Sequence, residues 1–295
     1  MTMNNAKITK ALVLLLLAAS SLLVSSCKDN TTEPEYLQEY DSEAAADMNA
    51  SALGTDAGGA GVGFEDSYTL MTEGNIATST FDGKVSTPQE RLKEFDPITK
   101  AHKLTIDRHK ENGKFIFDAV IIYTYTFYDK SGNKMDSLIK NQTDRIEISV
   151  SKERTGSKGE RIDVEDNATG SWNVTDILSG TPILNGLYNR EGSITFHTKN
   201  NGDRVLDYTL NIQFTNDTLV RKDNGTGKYT YLQGKANSTF TGTSRKNGNT
   251  FERKTDITFN GDGTATLEVT RTSGDGSVDT YTIDVKVGKW LRKGK

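Results

Sequence analysis

Short segments suited to tight turns punctuate the last two thirds of this 295-residue chain. They are Asn112-Gly113, Ser131-Gly132-Asn133, Asn201-Gly202, Asn247-Gly248, Asn260-Gly261-Asp262-Gly263 and Asp275-Gly276. Asn-Gly and Asp-Gly pairs adopt the positive φ that a hairpin turn requires. A tight turn can join only antiparallel neighbours, because parallel strands need a long crossover. Between the turns lie strand-like runs. In Phe115 to Tyr128 every odd position is apolar or aromatic, and the middle is apolar on both faces, as for a central strand covered on both sides. Ile146, Ile148 and Val150 share a face; so do Tyr208, Leu210, Ile212 and Phe214, with Thr209, Asn211 and Gln213 opposite. Leu267 with Val269, and Tyr281, Ile283, Val285 and Val287, repeat the pattern. The expectation is a mainly β fold, an antiparallel meander of about ten strands by the count of turns. A sheet that wide, apolar on one face, must form a barrel or a sandwich, or curl under a covering helix.

Ahead of the meander, Glu35 to Ala52 is the best helix candidate. Tyr36, Tyr40, Ala44, Met48 and Ala52 recur every fourth residue, with Leu37, Ala45 and Leu53 beside them, and acids lie near its start. Gly54 to Gly63 reads as an irregular glycine-rich linker, and Phe64 to Met71 as a strand. Thr87-Pro88-Gln89-Glu90 has the cap, proline and glutamate of a helix start, so a short helix is expected to near Phe95, ended by Asp96-Pro97.

The first residues carry an address. Lys7 and Lys10 precede an apolar run from Ala11 to Ala19, continued by Leu22 and Leu23, and the run ends at Val24-Ser25-Ser26-Cys27. That sequence of charge, apolar stretch and small residues is a secretory signal, and its last four residues resemble the lipobox of bacterial lipoproteins. The resemblance implies cleavage before Cys27, lipidation of its thiol with two or three acyl chains, and a place in the bacterial cell envelope, at the outer membrane, with surface or periplasmic orientation open. Cys27 is the sole cysteine, so no internal disulfide can form. The resulting division is 1–26 signal peptide, 27–34 polar tether, 35–100 helical and irregular segment packing on the sheet, and 101–295 antiparallel β domain.

Composition narrows function mainly by exclusion. Removal of the signal leaves 34 lysines and arginines against 40 acids, so nothing attracts nucleic acid. His102 and His109 are an odd number of residues apart in one strand and face opposite ways; His197 lies beside Phe196 on a polar side. Asp163 and Glu165 share a face, with Glu160 and Asp166 near, but acids on solvated strands make such pairs freely. Asn260 to Gly263 and Ser273 to Gly276 contain fragments of a calcium loop and lack its full ligand set. Tyr123, Tyr125 and Phe127, and separately Tyr229 and Tyr231, form aromatic stripes of the kind that pack cores. No catalytic residue, metal ligand or cofactor motif is assigned. The expected role is a non-catalytic binding or scaffolding domain, held to the membrane by lipid on Cys27, with an envelope protein, glycan or lipid as ligand. The alternatives are a glycan hydrolase using paired carboxylates, and a carrier of lipid or a small apolar ligand in a barrel lumen lined by Ile121, Tyr123 and Ile212.

Overall fold

The computed structural model describes residues 35–55, 58–74, 89–111, 115–158, 160–197, 202–223, 228–271, 276–286 and 288–292. Residues 1–34 with Cys27, the Thr87-Pro88 and Asn112-Gly113 pairs, Asn201, Val287 and residues 273–275 lie outside these, as do the side chains of Tyr36, Leu37, Tyr229 and Tyr231.

Thirteen strands make one antiparallel sheet. They are β1 Gln89–Asp96, β2 Ala101–Glu111, β3 Phe115–Asp129, β4 Lys134–Met135, β5 Thr143–Lys158, β6 Ile162–Thr175, β7 Ile183–Phe196, β8 Arg204–Asp223, β9 Lys228–Ser244, β10 Thr250–Asn260, β11 Thr264–Arg271, β12 Val278–Asp284 and β13 Lys289–Arg292. Twelve follow in chain order across the sheet, and β4 adds two residues beside β3. The meander is thus as the turns require, and Gly132, Gly248 and Gly261 take φ of 83°, 72° and 74°. The sheet is not closed; β1 and β13 are its edges.

Two helices, α1 Glu35–Leu53 and α2 Ala60–Glu73, fill the inside of its curl. α1 is buried on every side rather than along one stripe: Ala44 to Ala46, Met48, Asn49, Ala50, Ala52 and Leu53 are all inaccessible, while Tyr40 of the four-residue repeat is 50% exposed. A helix surrounded in this way shows no clean amphipathic face. α2 corrects two expectations, the linker through Gly63 and the strand from Phe64 to Met71. Its buried Phe64, Ser67, Leu70 and Met71 are three and four apart, the helical spacing. Its glycines serve close packing. A Cβ on Gly61 would stand 2.6 Å from the Leu53 carbonyl oxygen, and one on Gly63 2.6 Å from the Trp172 ring. Gly74 closes the helix in the left-handed conformation, its N–H donating to the Leu70 carbonyl at 3.0 Å.

A third correction concerns the helix expected to run to Phe95. Gln89–Asp96 is instead strand β1, so the sheet begins before residue 101. Pairing along β2 outweighs a local capping signal, and the turn that follows is set by Asp96, whose carboxylate accepts from Ile98 N at 2.9 Å and Thr99 Oγ1 at 2.6 Å. Lys289–Arg292 forms the last strand, β13, paired to β12.

The core lies between the helices and the inner face of the sheet. Phe64 is met edge-on by Trp172 at 5.9 Å and Phe214 at 5.2 Å, and Trp172 Nε1 donates to Ser67 Oγ at 2.9 Å. Ile121, Tyr123 and Ile212, the expected lumen lining, are buried in this same core. Of the three enclosures open to the sequence, the chain uses the curled sheet closed by its own helices.

Candidate functional site

Both faces of the sheet carry charge, and they carry it differently. On the inner face the alternation that buries Ile148 and Val150 continues into Lys152 and Arg154, both buried. Arg154 donates to Asp166 at 3.1 and 2.6 Å, Arg190 donates to the same carboxylate, and Tyr208 Oη donates to it at 2.5 Å. Arg108 holds Asp66 of α2 at 2.7 and 2.9 Å, and Tyr123 donates to that carboxylate too. Burial, then the adjacent carboxylates, push the Tyr123 and Tyr208 hydroxyls well above their ordinary range. Lys152 Nζ donates to the carbonyls of Gly58 and Gly59 at 2.8 and 3.0 Å, and burial, then Arg154, lower it to about 7. These groups are sealed from solvent and tie helices to sheet.

The outer face carries a groove of about 960 Å³ that crosses β2, β3, β5, β6, β7 and β8. Strand register builds it from two neighbouring rungs. One runs Asp107, Val120, Glu153, Asn167, Glu191; the other runs His109, Asp118, Thr155, Glu165, Ser193, Asp207. Each of the six strands contributes one outward-facing carboxylate, and successive strands place it on alternate rungs. With strands about 4.8 Å apart and same-face residues about 6.8 Å apart, neighbouring carboxylates start about 8 Å from one another. Among the described residues the basic groups lining the groove are Arg108 and Arg154, turned to the inner face, and Arg245 and His109. Arg245 Nε donates to Asp207 at 2.9 Å and lowers that carboxyl's pKa; His109 Nδ1 lies 2.7 Å from Asp118 Oδ1. Glu153 and Glu191 have no ion-pair partner among the described residues. Outside the groove's lining, His197 is held between Asp163 at 2.8 Å and Asp203 at 3.0 Å and raised in pKa by those hydrogen bonds.

The singled-out residues distribute accordingly. His102 faces the inner side near the β1 edge, stacked on Tyr125 at 5.0 Å, with Nε2 2.8 Å from the Asp136 carbonyl oxygen; burial lowers its pKa. His109 faces outward, so the two are on opposite faces as their spacing demands. Asp163 and Glu165 share the outer face, Asp166 is inside, and Glu160 is exposed in the β5–β6 turn. Asp262 spends its Oδ1 on Thr264 N and Oγ1, at 2.9 and 2.7 Å, a turn rather than a calcium loop. Tyr123, Tyr125 and Phe127 are core. Among the described residues no three of His, Cys, Asp and Glu are placed to hold a metal, and no helix is long and apolar enough to cross a membrane.

No family model matches the chain, and neither the characterised proteins nor the solved structures searched contain a match to it. The groove was not visible in the sequence because its six acids are far apart along the chain and meet only through register. The inner charges did leave a signal: Lys152, Arg154, Asp166, Arg190 and Arg253 occupy the apolar parity of their strands.

Proposed function

We propose that this chain is a lipid-anchored envelope lipoprotein whose β body is a non-catalytic binding domain, and that its outer groove receives a positively charged segment of a protein partner. The observation that carries the reading is the groove's unbalanced charge among the described residues, six outward carboxylates spread over six strands with two outward basic groups. Gathering like charges costs stability unless a ligand of opposite charge is bound, and a groove lined by one sign steers such a ligand inward. Among the described residues no phenylalanine, tyrosine or tryptophan lines the groove, so a sugar would find no broad stacking platform there, which favours a basic peptide over a glycan. The hydrolase alternative needs one carboxyl desolvated enough to hold a proton as general acid. Glu153, Glu165, Glu191, Asp118 and Asp207 are all exposed, which favours binding over catalysis. The carrier alternative loses its support, since Ile121, Tyr123 and Ile212 pack in the core.

The test is native purification from envelope membranes, with mass spectrometry of what accompanies the protein. A chain carrying Glu153→Gln, Glu165→Gln and Glu191→Gln should keep its fold and lose that companion. Equal recovery of the companion with both chains would refute the groove as its site. The anchor is tested separately: Cys27→Ser should leave the chain unlipidated and either soluble or uncleaved, and normal cleavage with unchanged membrane retention would refute it.

A further inference from the structure

On β7 the ladders to both neighbours run as far as Phe196, which faces Ile162 of β6 and Arg204 of β8. His197 carries the joint one residue further. Its backbone N–H donates to the Arg161 carbonyl at 2.8 Å. Its ring spans two carboxylates from separate segments: Nε2 lies 2.8 Å from Asp163 Oδ2 on β6, and Nδ1 3.0 Å from Asp203 Oδ1, one residue ahead of β8. A carboxylate can only accept, so each contact calls for an N–H on its ring nitrogen, and a neutral imidazole has one. The two contacts together therefore specify the imidazolium. The ring is 33% exposed, so a proton can come and go without the sheet unfolding. Other charged groups nearby are turned elsewhere: Arg204 holds Asp41 of α1, and Glu160 and Arg161 of the β5–β6 turn are exposed.

We propose that Asp163, His197 and Asp203 form a proton-operated clamp, which fastens the start of β6, the end of β7 and the start of β8 together while the imidazole carries both protons, and lets them part when one is lost. The hydrogen bonds to Asp163 and Asp203 raise the ring's pKa above the ordinary 6.5. The closed form thus holds the proton more tightly than the open one. Closure is favoured in full below about pH 6.5 and is lost as pH rises through the folded pKa. The remaining N–H can then serve one aspartate, and the other faces a ring lone pair. Opening is local, since the ladders inward of Phe196 do not depend on the ring. The strand ends concerned lead into Glu165, Ser193 and Asp207 of the groove, and the clamp acts whatever the groove receives.

The experiment is an NMR titration of the isotope-labelled protein. At about pH 6 both ring nitrogens of His197 should show the shifts of N–H nitrogens, and the ring should titrate above 6.5. Amide hydrogen exchange, divided by the rate of an unstructured amide at the same pH, reads the closure. Protection of the His197 amide should be constant at low pH and fall as the ring loses its proton, by about tenfold for each pH unit between the folded pKa and 6.5. Protection of Tyr188, in the middle of β7, should not follow the ring. Asp163→Asn combined with Asp203→Asn should abolish the dependence at His197. A ring holding one proton at about pH 6 overturns the proposal. Unchanged His197 protection across the ring's titration does so too, as does an equal fall in the doubly substituted chain.

Discussion

Lys152→Met separates the cost of burying a charge from the worth of the contacts it makes. The Lys152 ammonium is 4% exposed and donates to the Gly58 and Gly59 carbonyls beneath the connection between the helices. Its pKa falls to about 7 from an ordinary 10.5, chiefly through burial. At about 1.36 kcal/mol per tenfold change in proton affinity, the gap corresponds to about 4–5 kcal/mol of lost stability at pH below 7. The sign follows from proton counts. Between pH 7 and 10.5 the unfolded chain holds this proton and the folded chain does not, so stability rises with pH through that window and flattens below it. From pH 7.5 to 9 the unsubstituted protein should therefore gain about 2 kcal/mol that Lys152→Met does not gain. That range lies below the ordinary tyrosine pKa, so Tyr123, Tyr188 and Tyr208, all raised mainly by burial, do not contribute to the slope. Methionine relieves the charge but leaves two carbonyls without this donor, at about 1–3 kcal/mol each. The two chains should consequently be close in stability near pH 7, with the substituted one weaker at pH 9. The measurement is urea denaturation at a series of pH values. Parallel stability curves for the two proteins would refute the reasoning.

Asp166→Ala should be far more damaging than any outer acid, because it leaves Arg154 and Arg190 buried without their carboxylate; a loss of about 3–5 kcal/mol is expected in denaturation. Gly63→Ala drives a methyl to 2.6 Å from the Trp172 ring and should cost about 1–3 kcal/mol, with a changed Trp172 fluorescence spectrum as the local sign. Asp217 is buried at the β8–β9 bulge, and burial raises its carboxyl to about 7. Its folded form keeps a proton that the unfolded chain sheds, so stability should fall as pH rises from about 4 to 7 and then level off. Asp217→Asn should remove that fall, and thermal melts at pH 4.5 and 7.5 would show it.

The sheet was legible because its determinants are local. Asn247-Gly248 and Asn260-Gly261 dictate hairpins wherever they occur, and alternation along Tyr208 to Phe214 states which face is buried. What escaped reading depends on distant partners. The glycines of α2 resemble linker glycines until Trp172 is placed against Gly63. Pro88 and Glu90 are the proline and glutamate of a helix start, yet Gln89–Asp96 pairs along β2, and ladder hydrogen bonds decide the outcome. The groove is more remote still: Asp107 and Glu191 are 84 residues apart by number and join one rung only through three intervening strands.

The buried charges pose the question of what they do that apolar residues would not. Hydrophobic packing alone positions a helix by its large side chains, and among the described residues of α1 only Met48 and Leu53 are buried ones of that kind, while Ala44, Ala45, Ala46, Ala50 and Ala52 make a smooth rod. Such a rod can slide or turn against a curled sheet with little change in buried area. Asp41 and Asn49 prevent this. They are eight residues apart, about 12 Å along the axis, and each has partners on separate strands: Arg204 and Arg253 for one, Ser238 and Thr255 for the other. Two specific ties at that separation set both the height and the rotation of the helix. Replacing Asp41, Arg204 and Arg253 together by leucine or methionine should then leave stability equal or higher, because the desolvation cost of the charges disappears. It should also broaden the amide resonances of α1, as the helix samples more than one register. A variant with sharp, singly dispersed α1 resonances would refute the idea that these charges specify position.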